Sequence, residues 1–348
     1  MSEKNLCVLF GGQSSEHDIS VISAGTFVRN LDRERYGLYL IYVDRAGVWR
    51  LWEQDYAAFS DEAAKSAPTA ALLPGRDRKA RLFRDDRFLA DIDLCIPVFH
   101  GKNGEDGTIQ GFFEILGVPY VGCGVLASAA GMDKMSTKRI VRDLGIRQAD
   151  CVFITGTELR DKEAKMDEAE AKLGYPMFVK PSNAGSSIGV SCARDRAALS
   201  AAIDLAAAND GRILIEEAIV GREIECAVLG NLEPAASGVG EILSAESFYT
   251  FDAKYANAES RTVTDPDLPA ATVEEIRRDA VAIFRALDGR GLSRVDFFVE
   301  NATGEVVFNE INTMPGFTPI SMYPMLWAAR GVETKELVEK LIELGMER

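Results

Sequence analysis

Histidine is almost absent from this chain, and its cysteines occur singly. The 348 residues include two histidines, His17 and His100, and six cysteines. Zinc centres are usually built from clustered cysteine and histidine ligands, so the sequence predicts none. The cysteines form no C-x-x-C pair and lie mostly in apolar runs, where a free thiol behaves as a small hydrophobe. This usage is typical of a reduced, cytoplasmic protein.

Positive charge and long apolar runs are also in short supply. The 39 lysines and arginines are outnumbered by 54 aspartates and glutamates, which gives a formal net charge of −15. Nucleic acids and anionic membranes attract basic surfaces, so we expect neither as a partner. No apolar stretch approaches the roughly 20 residues of a membrane-spanning helix. The first residues lead directly into a strand-like run, and we expect no signal peptide.

The length of the chain predicts two or three domains. Up to about residue 122, short apolar runs alternate with helical patterns, which favours an α/β domain with an open, mostly parallel sheet. We predict strands at 6–10, 38–43 and 94–99, helices at 18–30 and 108–116, and a charged, irregular excursion over 55–91 at the sheet edge.

The rest of the chain is predicted to form two further units of α+β character, over 123–220 and 221–348. In the first we predict a helix at 125–144, strands at 151–155, 177–180 and 213–217, and a helix at 197–208. In the second we predict a strand at 223–229, a loop-rich stretch at 244–269, a helix opened by a capping box at Thr272, a strand pair and two helices.

Two carboxylates and a carboxamide occur on strands that are predicted to be neighbours. Glu310 and Asn312 are two residues apart, so a strand points both side chains to one face. Asp296 lies in an apolar stretch, where an ionised carboxylate is costly unless it is paired or bound to a metal. Oxygen ligands of this kind suit Mg²⁺. The alternative is a pair of polar edge positions on a hairpin.

A loop of small residues follows the predicted strand that ends at Lys180. It contains Ser186, Ser187 and glycines, so backbone N–H groups can approach an anion closely, and the lysine supplies a compact charge for phosphate. Because the lysine precedes the glycines, this is not the G-x-x-x-x-G-K-[ST] phosphate loop. An ordinary surface turn is the alternative interpretation.

Glutamates at the end of the predicted strand 213–217 are candidates for binding a nucleoside. Backbone groups around Glu216, Glu217 and Ile219 could bond an adenine edge, and a carboxylate such as Glu223 could accept hydrogen bonds from ribose hydroxyls. Two adjacent glutamates can equally be solvated side chains.

Two glycine-containing loops follow the predicted strands at 6–10 and 94–99. One carries Glu16 and His17, and the other carries His100 and Glu105. Ligands of open α/β sheets collect at the carboxyl ends of strands, which favours a binding site there over two polar surface loops. A long loop before Pro266 contains residues 252–255, and loops of that length inside compact domains are frequently active-site lids.

These segments together resemble the ATP-grasp superfamily, and within it the D-alanine–D-alanine ligases. The resemblance extends from about residue 5 to residue 325, with the motifs in family order, and it implies a three-domain ATP-grasp architecture. The matching motifs are Phe10-Gly11-Gly12 with Ser15-Glu16-His17-Asp18-Ile19-Ser20, His100-Gly101 with Gly104-Glu105-Asp106-Gly107-Thr108, Met132-Asp133-Lys134, Val179-Lys180-Pro181 with Gly185-Ser186-Ser187, Asp252-Ala253-Lys254-Tyr255, Arg294-Val295-Asp296, and Asn309-Glu310-Ile311-Asn312-Thr313-Met314-Pro315-Gly316.

The resemblance implies an ATP-dependent ligase that joins two D-alanine molecules for peptidoglycan precursor synthesis, and a homodimer. ATP would phosphorylate the carboxylate of a first D-alanine, and the amine of a second would displace phosphate from the acyl phosphate. Asp296, Glu310 and Asn312 would bind two Mg²⁺ or Mn²⁺ ions. The residues implied to bind ATP are Lys134, Lys180 and Lys254 at the phosphates, Ser186 and Ser187 in the loop over them, and Glu216, Glu217, Ile219 and Glu223 at adenine and ribose.

The resemblance also assigns residues to the amino-acid substrates. Glu16 would pair with the ammonium of the first D-alanine, and His100 would lie near its carboxylate. Arg294 and the backbone N–H of Gly316 would form an oxyanion hole for the tetrahedral intermediate. Ser321 would contact the carboxylate of the second D-alanine.

The second substrate has alternatives. The resemblance implies that Tyr255, hydrogen-bonded with Ser186 and Glu16, would close a lid and exclude water. Tyr255 also favours an amino acid over lactate. Met322 is apolar where some relatives that use D-serine or D-lactate have arginine, which favours D-alanine. A D-alanine–D-serine or D-alanine–D-lactate ligase is therefore an alternative. Another ATP-grasp carboxylate–amine ligase would share the metal and phosphate residues but lack Glu16 and the lid tyrosine. A catalytically silent nucleotide-binding protein would be expected to have lost a metal ligand or Arg294, and both are retained.

Overall fold

The computed structural model describes residues 4–186, 188–243 and 261–348. Helices and strands are mixed along these residues, as the predicted α/β and α+β class requires. The strands are β1 (Lys4–Gly11), β2 (Tyr36–Val43), β3 (Trp49–Trp52), β4 (Ala70–Pro74), β5 (Ala80–Arg84), β6 (Arg87–Ile92), β7 (Leu94–Val98), β8 (Cys151–Ile154), β9 (Met177–Pro181), β10 (Ser191–Ala193), β11 (Ile213–Glu217), β12 (Gly221–Gly230), β13 (Ala235–Leu243), β14 (Arg261–Val263), β15 (Gly291–Glu300) and β16 (Val306–Asn312). The α-helices are α1 (His17–Asn30), α2 (Asp61–Ala64), α3 (Thr108–Leu116), α4 (Val125–Met132), α5 (Lys134–Asp143), α6 (Lys162–Lys172), α7 (Arg196–Ala207), α8 (Ala270–Ala286), α9 (Met322–Ala328) and α10 (Thr334–Met346).

The first sheet has the strand order β3-β2-β1-β7 and is mostly parallel, as predicted. β1 pairs in parallel with β2 and β7, and β3 joins β2 in the antiparallel direction. Residues 6–10 of β1 are fully buried, as expected for an inner parallel strand that is covered on both faces. Phe10 and Val98 are register partners, so the loops that follow β1 and β7 leave the sheet side by side.

The charged segment 55–91 was predicted to be irregular, and this was wrong. It contains α2 and most of a three-stranded antiparallel sheet in the order β4-β5-β6. Along β5, Ala80 and Leu82 are fully buried, whereas Arg81 between them is exposed. Short strands whose outward positions are charged resemble loops in a sequence, because only two or three apolar residues mark the inner face.

Two antiparallel sheets follow in the rest of the chain. The second sheet has the order β10-β9-β11-β8, and α7 packs on β9 and β10. The third has the order β14-β13-β12-β15-β16, and α8 packs on β12 and β13. The predicted pair of strands near Asp296 and Glu310 is the antiparallel pair β15 and β16. No helix in the described ranges is long and apolar enough to cross a membrane.

Among the predicted helices, two differ from the structure by more than one residue. The helix predicted over 125–144 is divided at Asp133, whose backbone is extended (φ −84°, ψ 101°) and whose carboxylate accepts from the backbone N–H of Ser136 at 2.8 Å. This carboxylate caps α5, so α4 and α5 are separate helices. The capping box predicted at Thr272 is wrong, because α8 begins two residues earlier at Ala270, after Pro269, and has no side-chain cap.

Candidate active site

A cavity of about 1170 Å³ lies where the loops after β1 and β7 meet the ends of β9, β11 and β16. It is large enough for a nucleotide together with small substrates. The predicted site residues that line it are Glu16, His100, Lys134, Lys180, Ser186, Glu216, Glu217, Ile219, Glu223, Arg294, Glu310, Asn312, Gly316, Ser321 and Met322. Asp296 is 1% exposed and lies behind this lining. Ser187, Lys254 and Tyr255 lie outside the described residues.

Three carboxylates lie side by side across β12, β15 and β16. Asp296 is the register partner of Glu225 on one side and of Glu310 on the other. Residues directly opposite each other in an antiparallel pair point to the same face, so Glu225, Asp296 and Glu310 form one row, named the carboxylate row below. Arg294 and Asn312 are also register partners and occupy the same face, because each lies two residues from a member of the row.

Arg294 holds the buried part of the carboxylate row together. Its Nε and Nη2 donate to the two oxygens of Asp296 at 2.7 Å each, a bidentate arrangement that fixes both side chains. Nε also lies 3.2 Å from Oε2 of Glu225. Asn312 Nδ2 donates to Asp296 Oδ2 at 2.9 Å. The buried Asp296 carboxylate is therefore stabilised by an arginine and an amide, as a carboxylate in an apolar environment must be.

The residues present fit a divalent cation that prefers oxygen ligands. The carboxylate row brings three negative charges together, and Arg294 pairs with its two buried members, Glu225 and Asp296. Glu310 lines the cavity, and its Oε2 lies 3.4 Å from Lys134 Nζ. Two carboxylates with an adjacent carboxamide, beside a lysine-containing cavity, match the ligands of Mg²⁺ in nucleotide sites.

The loop after β9 is fixed to α5 and to the loop after β1. The Lys134 backbone N–H donates to the carbonyl of Ser182 at 2.9 Å, and Lys134 Nζ donates to the carbonyl of Ala184 at 3.0 Å. Ser186 has a left-handed backbone (φ 50°), and its hydroxyl donates to the Glu16 carboxylate. A non-glycine residue in this region stores strain, which is frequent at functional sites.

Glu216 is buried between two lysines and is not solvated, so that alternative is wrong for this residue. Its carboxylate oxygens lie 2.5 Å from Lys138 Nζ and 2.6 Å from Lys180 Nζ. Burial alone would raise the pKa of this carboxyl, but the two ammonium groups lower it to about 2. Glu217 has a different environment from Glu216, since its side chain accepts a hydrogen bond from the exposed backbone N–H of Asp150 at 2.9 Å.

His100 is buried at the meeting point of three segments. Its Nδ1 donates to the carbonyl of Met314 at 3.0 Å, and its Nε2 lies 3.0 Å from the hydroxyl of Ser23. Ser14 donates to the carbonyl of His100 at 2.7 Å and so connects the loops after β1 and β7. Burial opposes protonation of His100, but the nearby Glu105 carboxylate, at 3.7 Å, outweighs it and raises the pKa.

The loop after β7 requires glycine where it approaches Glu16. Gly101 has a φ of 71°, and a Cβ there would lie 2.5 Å from Oε2 of Glu16. The histidine of the other loop, His17, does not line the cavity. It is fully buried, where its Nδ1 donates to the carbonyl of Gly12 at 2.6 Å and its Nε2 lies 3.2 Å from the hydroxyl of Tyr42. The two histidines therefore have different surroundings.

The turn before α9 completes the cavity. The hydroxyl of Ser321 accepts from the backbone N–H of Thr318 at 3.0 Å. A Cβ on Gly316 would lie 2.9 Å from that hydroxyl, which explains a glycine beside it. Met322 is 3% exposed and covers Gly240, where a Cβ would lie 2.4 Å from the methionine sulfur. An apolar side chain therefore forms this part of the wall.

Family models match most of the chain. The model of the D-ala D-ala ligase N-terminus matches residues 5–123, and that of the D-ala D-ala ligase C-terminus matches residues 140–343. The chain belongs to the D-alanine–D-alanine ligase family. It is 48% identical over 363 residues to the D-alanine–D-alanine ligase of Acetivibrio thermocellus, with 99% of this chain and 96% of the relative covered. It is 47% identical to that of Ruminiclostridium cellulolyticum, with 100% and 96% covered.

Solved structures show the same fold as this D-alanine–D-alanine ligase family member. The VanG D-Ala:D-Ser ligase from Enterococcus faecalis is 36% identical, with a TM-score of 0.90 over 99% of this chain and 100% of that one. The D-alanine–D-alanine ligase from Coxiella burnetii is 34% identical, with a TM-score of 0.86 over 100% and 95%. The predicted ATP-grasp fold class is thereby confirmed, while the domain boundaries at 122 and 220 stay predictions.

Two residues of the site, Glu105 and Glu225, were given no individual role from the sequence. Glu105 belongs to the loop motif of His100, but nothing in the motif indicates that the two side chains meet. Glu225 lies in an apolar run of β12, two residues after Glu223. Because Glu225 is two residues from Glu223, it points to the same face of the strand, and it lies among apolar residues. This pattern could have identified Glu225 as a buried acidic residue of the site.

Proposed function

We propose that this protein joins two D-alanine molecules in an ATP-dependent reaction that supplies peptidoglycan precursors. The γ-phosphoryl group of ATP moves to the carboxylate of the first D-alanine and leaves ADP. The amine of the second D-alanine then attacks the acyl phosphate, and phosphate departs. The chain belongs to the D-alanine–D-alanine ligase family, and one observation supports the proposal. A single cavity is lined by Glu310 of the carboxylate row, by Lys134, Lys180 and Arg294, and by the hydrogen-bonded pair Glu16 and Ser186.

The nucleotide is proposed to lie along the β9, β11 and β12 side of the cavity. Lys134 and Lys180 would neutralise phosphate charge, with Ser186, Ser187 and Lys254 beside them. Asp296, Glu310 and Asn312 would hold two Mg²⁺ or Mn²⁺ ions, which supply positive charge at the phosphates of ATP. Adenine and ribose would contact the segment that contains Glu216, Glu217, Ile219 and Glu223.

The first D-alanine is proposed to lie at the loops after β1 and β7. The Glu16 carboxylate would accept from its ammonium, and Ser186 fixes that carboxylate in place. His100, whose pKa is raised by the nearby Glu105 carboxylate, would lie near the substrate carboxylate. Arg294 and the backbone N–H of Gly316 would stabilise the oxyanion of the tetrahedral intermediate.

The second D-alanine is proposed to lie between Ser321, Met322 and Tyr255. Ser321 would donate to its carboxylate, and Tyr255 would exclude water that could hydrolyse the acyl phosphate. We also propose that the enzyme acts in the cytoplasm, where ATP is supplied, and that it forms a homodimer, which sedimentation of the purified protein would test.

Phosphate release tests the proposed reaction directly. The purified protein is expected to release phosphate from ATP only when D-alanine and Mg²⁺ are both present, because the acyl phosphate needs a carboxylate and the pocket around Glu16 is chiral. The measurement is initial-rate phosphate release with D-alanine, L-alanine or no amino acid. Equal rates in the three conditions would rule out the proposed ligase.

D-Serine is the second candidate for the attacking substrate, since the VanG D-Ala:D-Ser ligase shares the fold with a TM-score of 0.90. Met322 lines the cavity and offers no partner for the serine hydroxyl. An unsatisfied buried hydroxyl costs about 1–3 kcal/mol, so we expect roughly a 5- to 150-fold preference for D-alanine. The ratio of the two dipeptide products in a mixture of both amino acids measures this preference.

Met322→Arg should reduce the preference for D-alanine over D-serine, and the control Met322→Leu should retain that preference. Mostly D-alanyl-D-serine from the parent would favour the alternative.

A further inference from the structure

The carboxylate of Glu216 is shared by two lysines with different surroundings. Lys138 on α5 is 2% exposed, and its Nζ lies 2.5 Å from Glu216 Oε1 while it donates to the carbonyl of Ala149 at 3.1 Å. Lys180 on β9 lies 2.6 Å from Glu216 Oε2 and lines the cavity. We name Lys138, Glu216 and Lys180 the lysine–glutamate bridge. A lysine is almost never fully buried unless it is paired, and the partner of Lys138 is Glu216. The question is what this buried pairing does for Lys180.

The lysine–glutamate bridge carries one net positive charge, because two ammonium groups face one carboxylate. Lys138 is enclosed, so the cavity-lining Lys180 is the member at which a ligand can meet that charge. Burial alone would lower the pKa of Lys180, but the Glu216 carboxylate raises it, so this side chain stays an ammonium. The position of Lys180 is also fixed by the sheet, because β9 and β11 are antiparallel neighbours. Leu214 is the register partner of Lys180, and Glu216 lies two residues further along β11 on the same face.

We propose that Lys138 is a positioning residue for the nucleotide phosphates, which acts through Glu216 without touching the nucleotide. By neutralising Glu216 from the enclosed side, Lys138 leaves the charge of Lys180 available to a phosphate. Without Lys138, the whole charge of Glu216 would fall on Lys180, and the pair would be neutral toward an anion. The inference rests on the proposed function for its ligand, a nucleoside phosphate bound with Mg²⁺.

The test is a double-mutant comparison of ADP binding in the presence of Mg²⁺, measured by titration calorimetry on the full chain. Lys138→Met keeps the shape of the side chain but makes the bridge neutral, and we expect ADP to bind about tenfold more weakly. Adding Glu216→Gln to that variant removes the carboxylate and restores one positive charge at Lys180. Binding by the double variant should therefore be several-fold tighter than binding by Lys138→Met.

Thermal unfolding of the same proteins gives a second measurement. Glu216→Gln alone leaves Lys138 buried without its carboxylate, which is strongly destabilising. The double variant should therefore unfold at a higher temperature than Glu216→Gln alone. Lys162→Met is the matched control, because it removes a lysine paired with Asp204 on α7 at 2.7 Å, outside the cavity. It should leave the ADP affinity unchanged.

The outcomes separate this inference from the proposed function. Parental ADP affinity in Lys138→Met would overturn the inference. A double variant that binds as weakly as Lys138→Met would also overturn it, because lost packing and not lost charge would then explain the weakening. A parent protein that binds no ADP with Mg²⁺ would instead contradict the proposed function itself.

Discussion

Arg294→Lys is expected to lower the turnover of D-alanine-dependent phosphate release by about 10²- to 10³-fold, the scale of losing one preorganised oxyanion donor. The substitution keeps the charge but removes the planar fork. In the structure that fork donates to both oxygens of Asp296 at 2.7 Å and lies 3.2 Å from Glu225. A single ammonium cannot hold two carboxylates and also face a developing oxyanion with fixed geometry.

The measurement is the turnover number at saturating ATP and D-alanine, together with the Kd for ADP. Binding of ADP should change much less than turnover, because the proposed role of Arg294 is in the transition state. Arg290→Lys is a suitable control, since Arg290 is half-buried on the approach to β15 and its partner Asp288 is 3.9 Å away. Turnover of Arg294→Lys within a few-fold of the parent would remove Arg294 from the oxyanion site.

The carboxylate row shows what alternation along a strand can predict. Glu310 and Asn312 had to share a face because they are two residues apart, and the apolar surroundings of Asp296 required a partner for its charge. The structure agrees with both arguments, since the partners are Arg294 and Asn312. The contact between Ser186 and Glu16 could come only from the resemblance, because 170 residues separate them and no local pattern relates them.

Other features were missed because an isolated charged residue resembles a surface position in a sequence. Lys138 lies in a helix rich in charged residues, yet it shares the buried face with Met135 and Val141, at spacings of three residues. A lysine within the apolar stripe of a helix is the pattern that indicates a buried partner.

The strand β13 was not predicted for a different reason, because its glycines weaken the strand pattern in the sequence. One of them, Gly240, is needed to make room for Met322.

Glu310→Gln is expected to lower turnover by at least about 10²-fold and to raise the Mg²⁺ concentration needed for half-maximal rate. The change keeps the shape of the side chain but removes one negative charge from a member of the carboxylate row that lines the cavity. Carboxylate charge is what attracts Mg²⁺ to such a site. The rate of phosphate release is measured as a function of Mg²⁺ concentration, and the same titration is repeated with Mn²⁺.

Glu305→Gln is the matched control for this change, because Glu305 is an exposed glutamate at the β15–β16 turn whose partner is Arg147 at 2.9 Å. It should leave both the rate and the Mg²⁺ dependence as in the parent. The hairpin-edge alternative gives a different result for Glu310. In that case the side chain would serve only as a partner of Lys134, 3.4 Å away, and its removal would free a lysine for phosphate. A rate within a few-fold of the parent, with unchanged Mg²⁺ dependence, would therefore assign Glu310 to that ion pair and not to the metal.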